Sequence, residues 1–234
     1  MTKVDKAKVL ERPTPKKGHH GSKDNVQHPR KDTMAAKIQI LGMRGQPNTT
    51  GATVINTCSN AATGWERDLS PFIVGPCNLY GNHRSQNMEN GWQYSKLYKR
   101  HADAKGQPTT TYWNWAKQGF NNPRAVRYPM GRGARPLYAW WDGRTLPYIE
   151  ARKEIYGPLY AEAVLKTAGW TYLKNLYQTQ NQLILRDWDG HDHDALGLTL
   201  TQVLNNPRRK MGHAFVLKML LTQDAALQQM KLRP

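Results

Sequence analysis

Acidic residues and cysteine are scarce in this 234-residue chain. It has 17 Asp and Glu against 34 Lys and Arg, a formal charge of +17, and only two cysteines, Cys58 and Cys77. Two cysteines without CxxC spacing build neither a disulfide framework nor a zinc site, so a reducing cytoplasm is the expected setting. No run approaches the ~18 consecutive apolar residues that a membrane span requires. The charged N-terminus also lacks the apolar segment of a signal peptide. A soluble protein with no membrane partner is therefore expected. Phe occurs only three times, but eight Trp and eleven Tyr exclude a disordered polymer, because all the rings except Phe215 fall between residues 65 and 188. At about 100–200 residues per domain, the length suits one domain with an appendage.

Residues 1–32 hold nine basic and four acidic residues and no aromatic ring, which reads as a flexible basic arm. Residues 33–234 keep a charge of +12, so the folded part is basic too and points toward polyanionic partners such as DNA or RNA. The expected fold class is α+β, a helix-rich single domain with a small sheet. Candidate strands are 36–41, 52–58 and 183–185, from alternating or short apolar runs. From Asn87 the pattern turns helical. Glu89, Trp92, Gln93 and Lys96 fall at i, i+3, i+4 and i+7, on one face of a helix expected to reach about His101. The Pro-rich, Trp-rich stretch 106–147 reads as loops packed over a core or pocket. A helix over 148–167, kinked at Gly157-Pro158 and stopped by Gly169, is followed by another at 170–177. Asn206-Pro207 reads as the cap and first residue of a last helix. There is no internal repeat.

Three constellations could carry chemistry. The string from Asp187 to Asp194 packs four carboxylates, with His191 and His193, into eight residues. A calcium loop counted from Asp187 would need Gly at its sixth position and Glu at its twelfth, and it finds Asp192 and Leu198. Too little chain follows for a phosphatase domain opened by a DxDG motif. A metal-dependent hydrolase built on Asp187, Asp189, His191 and His193 remains one reading. In the second constellation, Arg127, Arg132 and Arg135 flank closely spaced glycines, a pattern that can clamp phosphate although it is neither GxGxxG nor a P-loop. In the third, Glu89 beside Trp92 is a candidate general base or charge stabiliser.

The string Glu89-Asn-Gly-Trp-Gln93-Tyr-Ser-Lys96 resembles the E-x-x-x-Q-x-x-K helix of the NADAR superfamily, named for its association with NAD and ADP-ribose. Ser70-Pro71-Phe72, Ala116-Lys117 with Gly119, Asp187-Trp188-Asp189-Gly190 and Gly212 follow the family's order along the chain. The run as a whole is similar to an uncharacterised phage and bacterial branch. The resemblance implies a NADAR-like α+β domain and an N-glycosidase that hydrolyses the bond between a base or amine and a ribose phosphate, or an ADP-ribosylated base, without metal or redox cofactor. It also implies a bacterial host cytoplasm. Glu89 would be the catalytic carboxylate, Asp187 or Asp189 a second polar group, and Trp188 a stacking wall. Trp92, Gln93, Lys96 and the three arginines would complete the substrate pocket. A non-catalytic nucleotide- or nucleic-acid-binding protein is the main alternative.

Overall fold

Leu183, Ile184 and Leu185 are all without solvent exposure, so this strand is covered on both faces and sits at the centre of its sheet. In the computed structural model, residues 35–45 and 47–232 are described. The chain divides into two units, Met1–Asp32 and Thr33–Pro234, and the described residues all lie in the second. The basic arm expected over 1–32 therefore falls outside them. The first half of the described chain runs β1 (Lys37–Gly42), β2 (Thr53–Asn56), α1 (Gly64–Arg67), β3 (Cys77–Asn78), β4 (Arg84–Ser85), α2 (Met88–Tyr94) and β5 (Lys96–Leu97). A 3-10 turn at Lys99–His101 leads to α3 (Thr110–Asn121), β6 (Tyr138–Trp141), β7 (Arg144–Leu146) and α4 (Tyr148–Ala151). A π-helical turn, Arg152–Tyr156, joins α4 to α5 (Gly157–Val164). Next come α6 (Ala168–Thr179), β8 (Gln182–Asp187), α7 (Leu200–Leu204), α8 (His213–Thr222) and a 3-10 turn at Ala225–Gln229.

Helices and small sheets mix within this unit, an α+β arrangement. The main sheet has the order β1-β8-β2, with all strands parallel; Gly42 pairs with Asp187 and Asn56 with Arg186. The strands β5-β6-β7 form an antiparallel sheet, and β3-β4 a short hairpin. Helix α8 is buried from His213 to Leu221 and packs on β8, β1 and α5. No helix among the described residues is long and apolar enough to cross a membrane.

Several boundaries differ from the sequence reading, each for a local reason. Helix α2 ends at Tyr94, because Ser95 Oγ donates to Trp92 O at 2.8 Å and Lys96–Leu97 pair with Ala139 and Tyr138 as a strand. The loop expected over 106–147 contains α3, capped by Thr109, with Tyr112, Ala116, Gly119 and Phe120 buried along one stripe. Gly119 is needed there, since any Cβ would overlap the Tyr94 ring. Gly169 does not stop a helix. It lies in the first turn of α6, whose cap is Thr167, at a close approach to Trp65 O. Where a kink was expected the helix carries a π-turn: Pro158 lacks an N–H, and Gly157 N–H bonds Arg152 O five residues back. The last helix begins at His213 and not at Pro207.

Residues 206–211 run as a loop in which the carbonyls of Asn206 and Arg209 are turned to one side chain. Arg152, 2% exposed, donates to Val203 O and Leu204 O at 3.0 Å, Asn206 O at 3.2 Å and Arg209 O at 3.0 Å. It also reaches the Tyr148 hydroxyl at 2.8 Å. One guanidinium thus caps α7 and shapes the loop before α8. We expect Arg152→Met to cost about 3 kcal/mol, because it strands the buried carbonyls of Val203 and Leu204 and unties those of Asn206 and Arg209. Arg152→Lys should recover only part of this, as read by urea unfolding.

Candidate active site

Parallel strands bring their carboxyl ends to one edge of a sheet, where open α/β sheets form their ligand clefts. At that edge β8 ends in Asp187, β1 in Gly42, and β2 runs on to Thr57 and Cys58. Asp187 is buried. Its Oδ2 accepts from Ala214 N at 3.0 Å at the start of α8 and lies 3.2 Å from His213 Nδ1, while its Oδ1 accepts from Asp189 N at 3.0 Å. The carboxylate therefore complements the positive end of α8 and closes the 187–190 turn in one stroke. Gly212 is obligatory here, as a Cβ would collide with this carboxylate. His213 Nε2 lies 2.8 Å from Thr57 O. Both ring nitrogens of His213 thus face acceptors.

Glu89 enters from the opposite side, in the first turn of α2. Asn87 caps that helix by accepting from Asn90 N at 2.9 Å, and Glu89 N donates to Pro71 O at 2.9 Å. These bonds fix the side chain against the 69–74 turn. Glu89 Oε1 accepts from Gln93 Nε2 at 2.8 Å, and Gln93 Oε1 accepts from Lys96 Nζ at 2.6 Å. The ammonium also sits 4.6 Å from the centre of the Trp92 ring. Glu89 Oε2 takes no hydrogen bond from the described protein and is not sealed from solvent. Burial raises the Glu89 carboxyl above the usual range, opposed by the Gln93 bond and by the charges of Lys96, Arg127 and His213. Burial lowers the Lys96 amine to about 8, against the pull of Glu89.

A groove of about 400 Å³ opens at the carboxyl edge of the sheet, lined by Arg44, Arg127, Tyr128, Trp188, Asp189 and Lys210 with residues 42–43 and Gly190. Trp188 is 54% exposed, a free ring face in a groove of cations. Arg127 is tied to Asp189 at 2.6 Å and is close enough to favour the Glu89 anion; Lys210 Nζ lies 3.8 Å from the other Asp189 oxygen. Arg132 stands 5.8 Å from the Tyr128 ring centre, and Arg135 stays exposed. Of the three arginines read as a phosphate clamp, the structure brings only Arg127 into the groove wall. Trp92 is buried edge-on against Tyr156 and does not line the groove, whose open ring wall is Trp188.

The four residues Asp187, Asp189, His191 and His193 do not converge on a metal site. His193 Nδ1 is 2.6 Å from Leu198 O, and its Nε2 is 2.8 Å from Lys218 Nζ, which spends both nitrogens. His191 packs against Phe215 at 4.7 Å between ring centres, and burial lowers its pKa. Among the described residues, one set with metal-ligand chemistry gathers instead: Cys58, Asp187 and His213, with ligand atoms within 4.8 Å of one another. Ala214 N and Asp189 N already donate to Asp187, the His213 Nε2 faces Thr57 O, and burial pushes the Cys58 thiol up to about 11. His213, Lys210 and Tyr156 were not singled out by the sequence reading as site residues. Only the Gly212-His213 pair opening an apolar helix hinted at one of them. Comparison with protein-family models, curated proteins and solved structures gave no match.

The buried carboxyl carries a pH signature. The Glu89 pKa is raised above its unfolded value of 4.5, so its contribution to stability is intact below that value and is lost as pH climbs through the raised one. Lys96 shifts the other way. Its penalty is complete below about 8 and disappears above 10.5. The Tm of Glu89→Gln minus that of wild type should therefore rise between pH 4.5 and 7 in a thermal melt series, and a falling difference would contradict the buried-anion picture.

Proposed function

We infer that the protein is an N-glycosidase-type hydrolase acting on a nucleotide ribose phosphate derivative or an ADP-ribosylated base. The observation that carries this reading is the unspent Glu89 Oε2, on a carboxylate whose anion is favoured by Arg127, the residue that walls a groove with a free Trp face and cations. The NADAR resemblance supports it. In such a pocket Trp188 stacks on the base, with each stacked ring worth roughly 1–3 kcal/mol, and Arg127, Arg44 and Lys210 meet the phosphates. Cleavage at C1′ passes through an oxocarbenium-like state whose positive charge Glu89 stabilises. Water adds to C1′ and gives a proton to Glu89 Oε2, the C1′–N bond breaks with its electrons on the base, and the base takes up a proton. Asp187 positions the turn, and Asp189 aims Arg127.

A second reading, a nucleotide- or nucleic-acid-binding protein without catalysis, is favoured by the exposed Trp188 and Tyr128 among cations on a basic unit.

Incubation with ADP-ribose, NAD and ADP-ribosylated guanine DNA, with and without chelator, should release base as read by mass spectrometry. Glu89→Gln should slow release by about 100-fold or more. Absence of release, together with DNA retention that falls steeply with salt, would establish the binding protein instead.

A further inference from the structure

Three segments far apart in the chain meet at the carboxyl edge of the parallel sheet: the residues after β2, the end of β8 and the start of α8. Each brings a side chain with metal-ligand chemistry. Cys58, Asp187 and His213 are 5%, 3% and 5% exposed, and their ligand atoms lie within 4.8 Å of one another. Backbone bonds set them in place. Thr57 N and Thr57 Oγ1 both donate to Arg186 O, at 3.1 and 2.9 Å, and Cys58 N donates to Asn56 Oδ1 at 3.0 Å, so the thiol sits on a strand end pinned to β8. Ala214 N and Asp189 N orient the Asp187 carboxylate, one on each oxygen. The Tyr160 ring, whose hydroxyl donates to Leu69 O, stands edge-on to the His213 imidazole at 5.4 Å between ring centres.

His213 shows what the cluster suits. Thr57 O, 2.8 Å from Nε2, can only accept, so the proton of a neutral ring sits on Nε2. The Nδ1 lone pair then meets the lone pairs of Asp187 Oδ2, 3.2 Å away, and two such acceptors repel unless a positive centre lies against both. A second ring proton would satisfy these two atoms and leave the thiol without a part, whereas a metal ion uses all three. The supporting bonds are those of a ligand set: a ligating imidazole donates its other N–H to a backbone carbonyl, and a ligating carboxylate is itself hydrogen-bonded. Around a tetrahedral zinc ion, bonds of ~2.0–2.3 Å put neighbouring ligand atoms about 3.3–3.6 Å apart, the scale of the Nδ1–Oδ2 contact. Mixed sulfur, nitrogen and oxygen donors select a zinc-class ion over calcium or magnesium, which take oxygen. As the sulfur–metal bond forms, the thiol proton leaves to water. Cysteine spacing pointed away from zinc because the fold, and not a local motif, assembles these three ligands.

We propose that Cys58, Asp187 and His213 bind one divalent zinc-class ion, which fastens the ends of β2 and β8 to the start of α8 and leaves its fourth position to water. The NADAR resemblance implies chemistry without a metal, and the ion acts here as a tie in the frame. For the test, the full chain is stripped with chelator, dialysed and titrated with cobalt(II), which absorbs in the near ultraviolet by charge transfer when a thiolate binds it. Wild type should develop this band to saturation at one cobalt per chain, and zinc should displace the cobalt. Histidines elsewhere in the chain give no such band. Zinc at about 100-fold above its dissociation constant should raise the Tm by ~5 °C or more. Cys58→Ser should lose the band and bind zinc at least about tenfold more weakly, with a far-UV spectrum and cooperative melt like those of metal-free wild type. Should Cys58→Ser fail to fold, Cys77→Ser decides, since a band in that variant can come only from Cys58. Three results overturn the proposal: no thiolate band in wild type, a band that survives in Cys58→Ser or vanishes in folded Cys77→Ser, or a Tm that zinc does not raise. Base release, present or absent, bears on the hydrolase reading alone.

Discussion

Asp187 is the point on which the site depends. Its carboxylate accepts from the first turn of α8, closes the turn that carries Trp188 and Asp189, and faces His213. A single group therefore ties the end of the central strand to the helix that covers the sheet and to the turn that walls the groove. The tie is tight enough that Gly212 can carry no Cβ. A charge placed this deep is tolerated because backbone N–H groups and an imidazole solvate it in place of water. Arg152 performs the complementary task on the other side of the 206–211 loop, where buried carbonyls solvate a cation.

Glu89 and Lys96 show the opposite economy. Each is driven by burial toward its neutral form, and the Gln93 side chain bridges them without bringing them into direct contact. An ion pair made for stability would close that gap. Keeping the carboxylate one amide away from the ammonium leaves Oε2 open, an arrangement that costs stability and suits a group meant to meet a ligand.

Much of the frame was legible in the sequence. The three strands of the parallel sheet stood out as short apolar or alternating runs, and the Glu89 constellation stood out by spacing. Lys96 reaches Gln93 as that spacing implied, although it does so from a strand, because the 3.6-residue period continues past the point where Ser95 ends the helix. What stayed hidden depended on partners far away in the chain. Nothing local in Asn206-Pro207 reveals that Arg152, some fifty residues earlier, will claim the carbonyls and delay the last helix. The stripe of α3 was obscured because its buried positions include Gly119, which reads as a breaker until Tyr94 is seen against it.

The acidic string after β8 drew attention by density, yet density says little about which oxygens are free to react. Asp187 spends both oxygens on backbone amides and His213, and Asp189 gives one to Arg127 while the other lies 3.8 Å from the Lys210 ammonium. Asp192 is held by Gln39 and Ala195 N, and Asp194 by Lys218. Glu89, far in sequence from that string, keeps Oε2 without a hydrogen bond from the described residues. Glycosidases that work with two carboxylates need a second free one, about 5–9 Å from the first. A hydrolase built on this constellation must instead stabilise the oxocarbenium ion with one carboxylate and leave the departing group to carry its own electrons. That mechanism suits a base or amine whose nitrogen leaves readily, and not a sugar alkoxide.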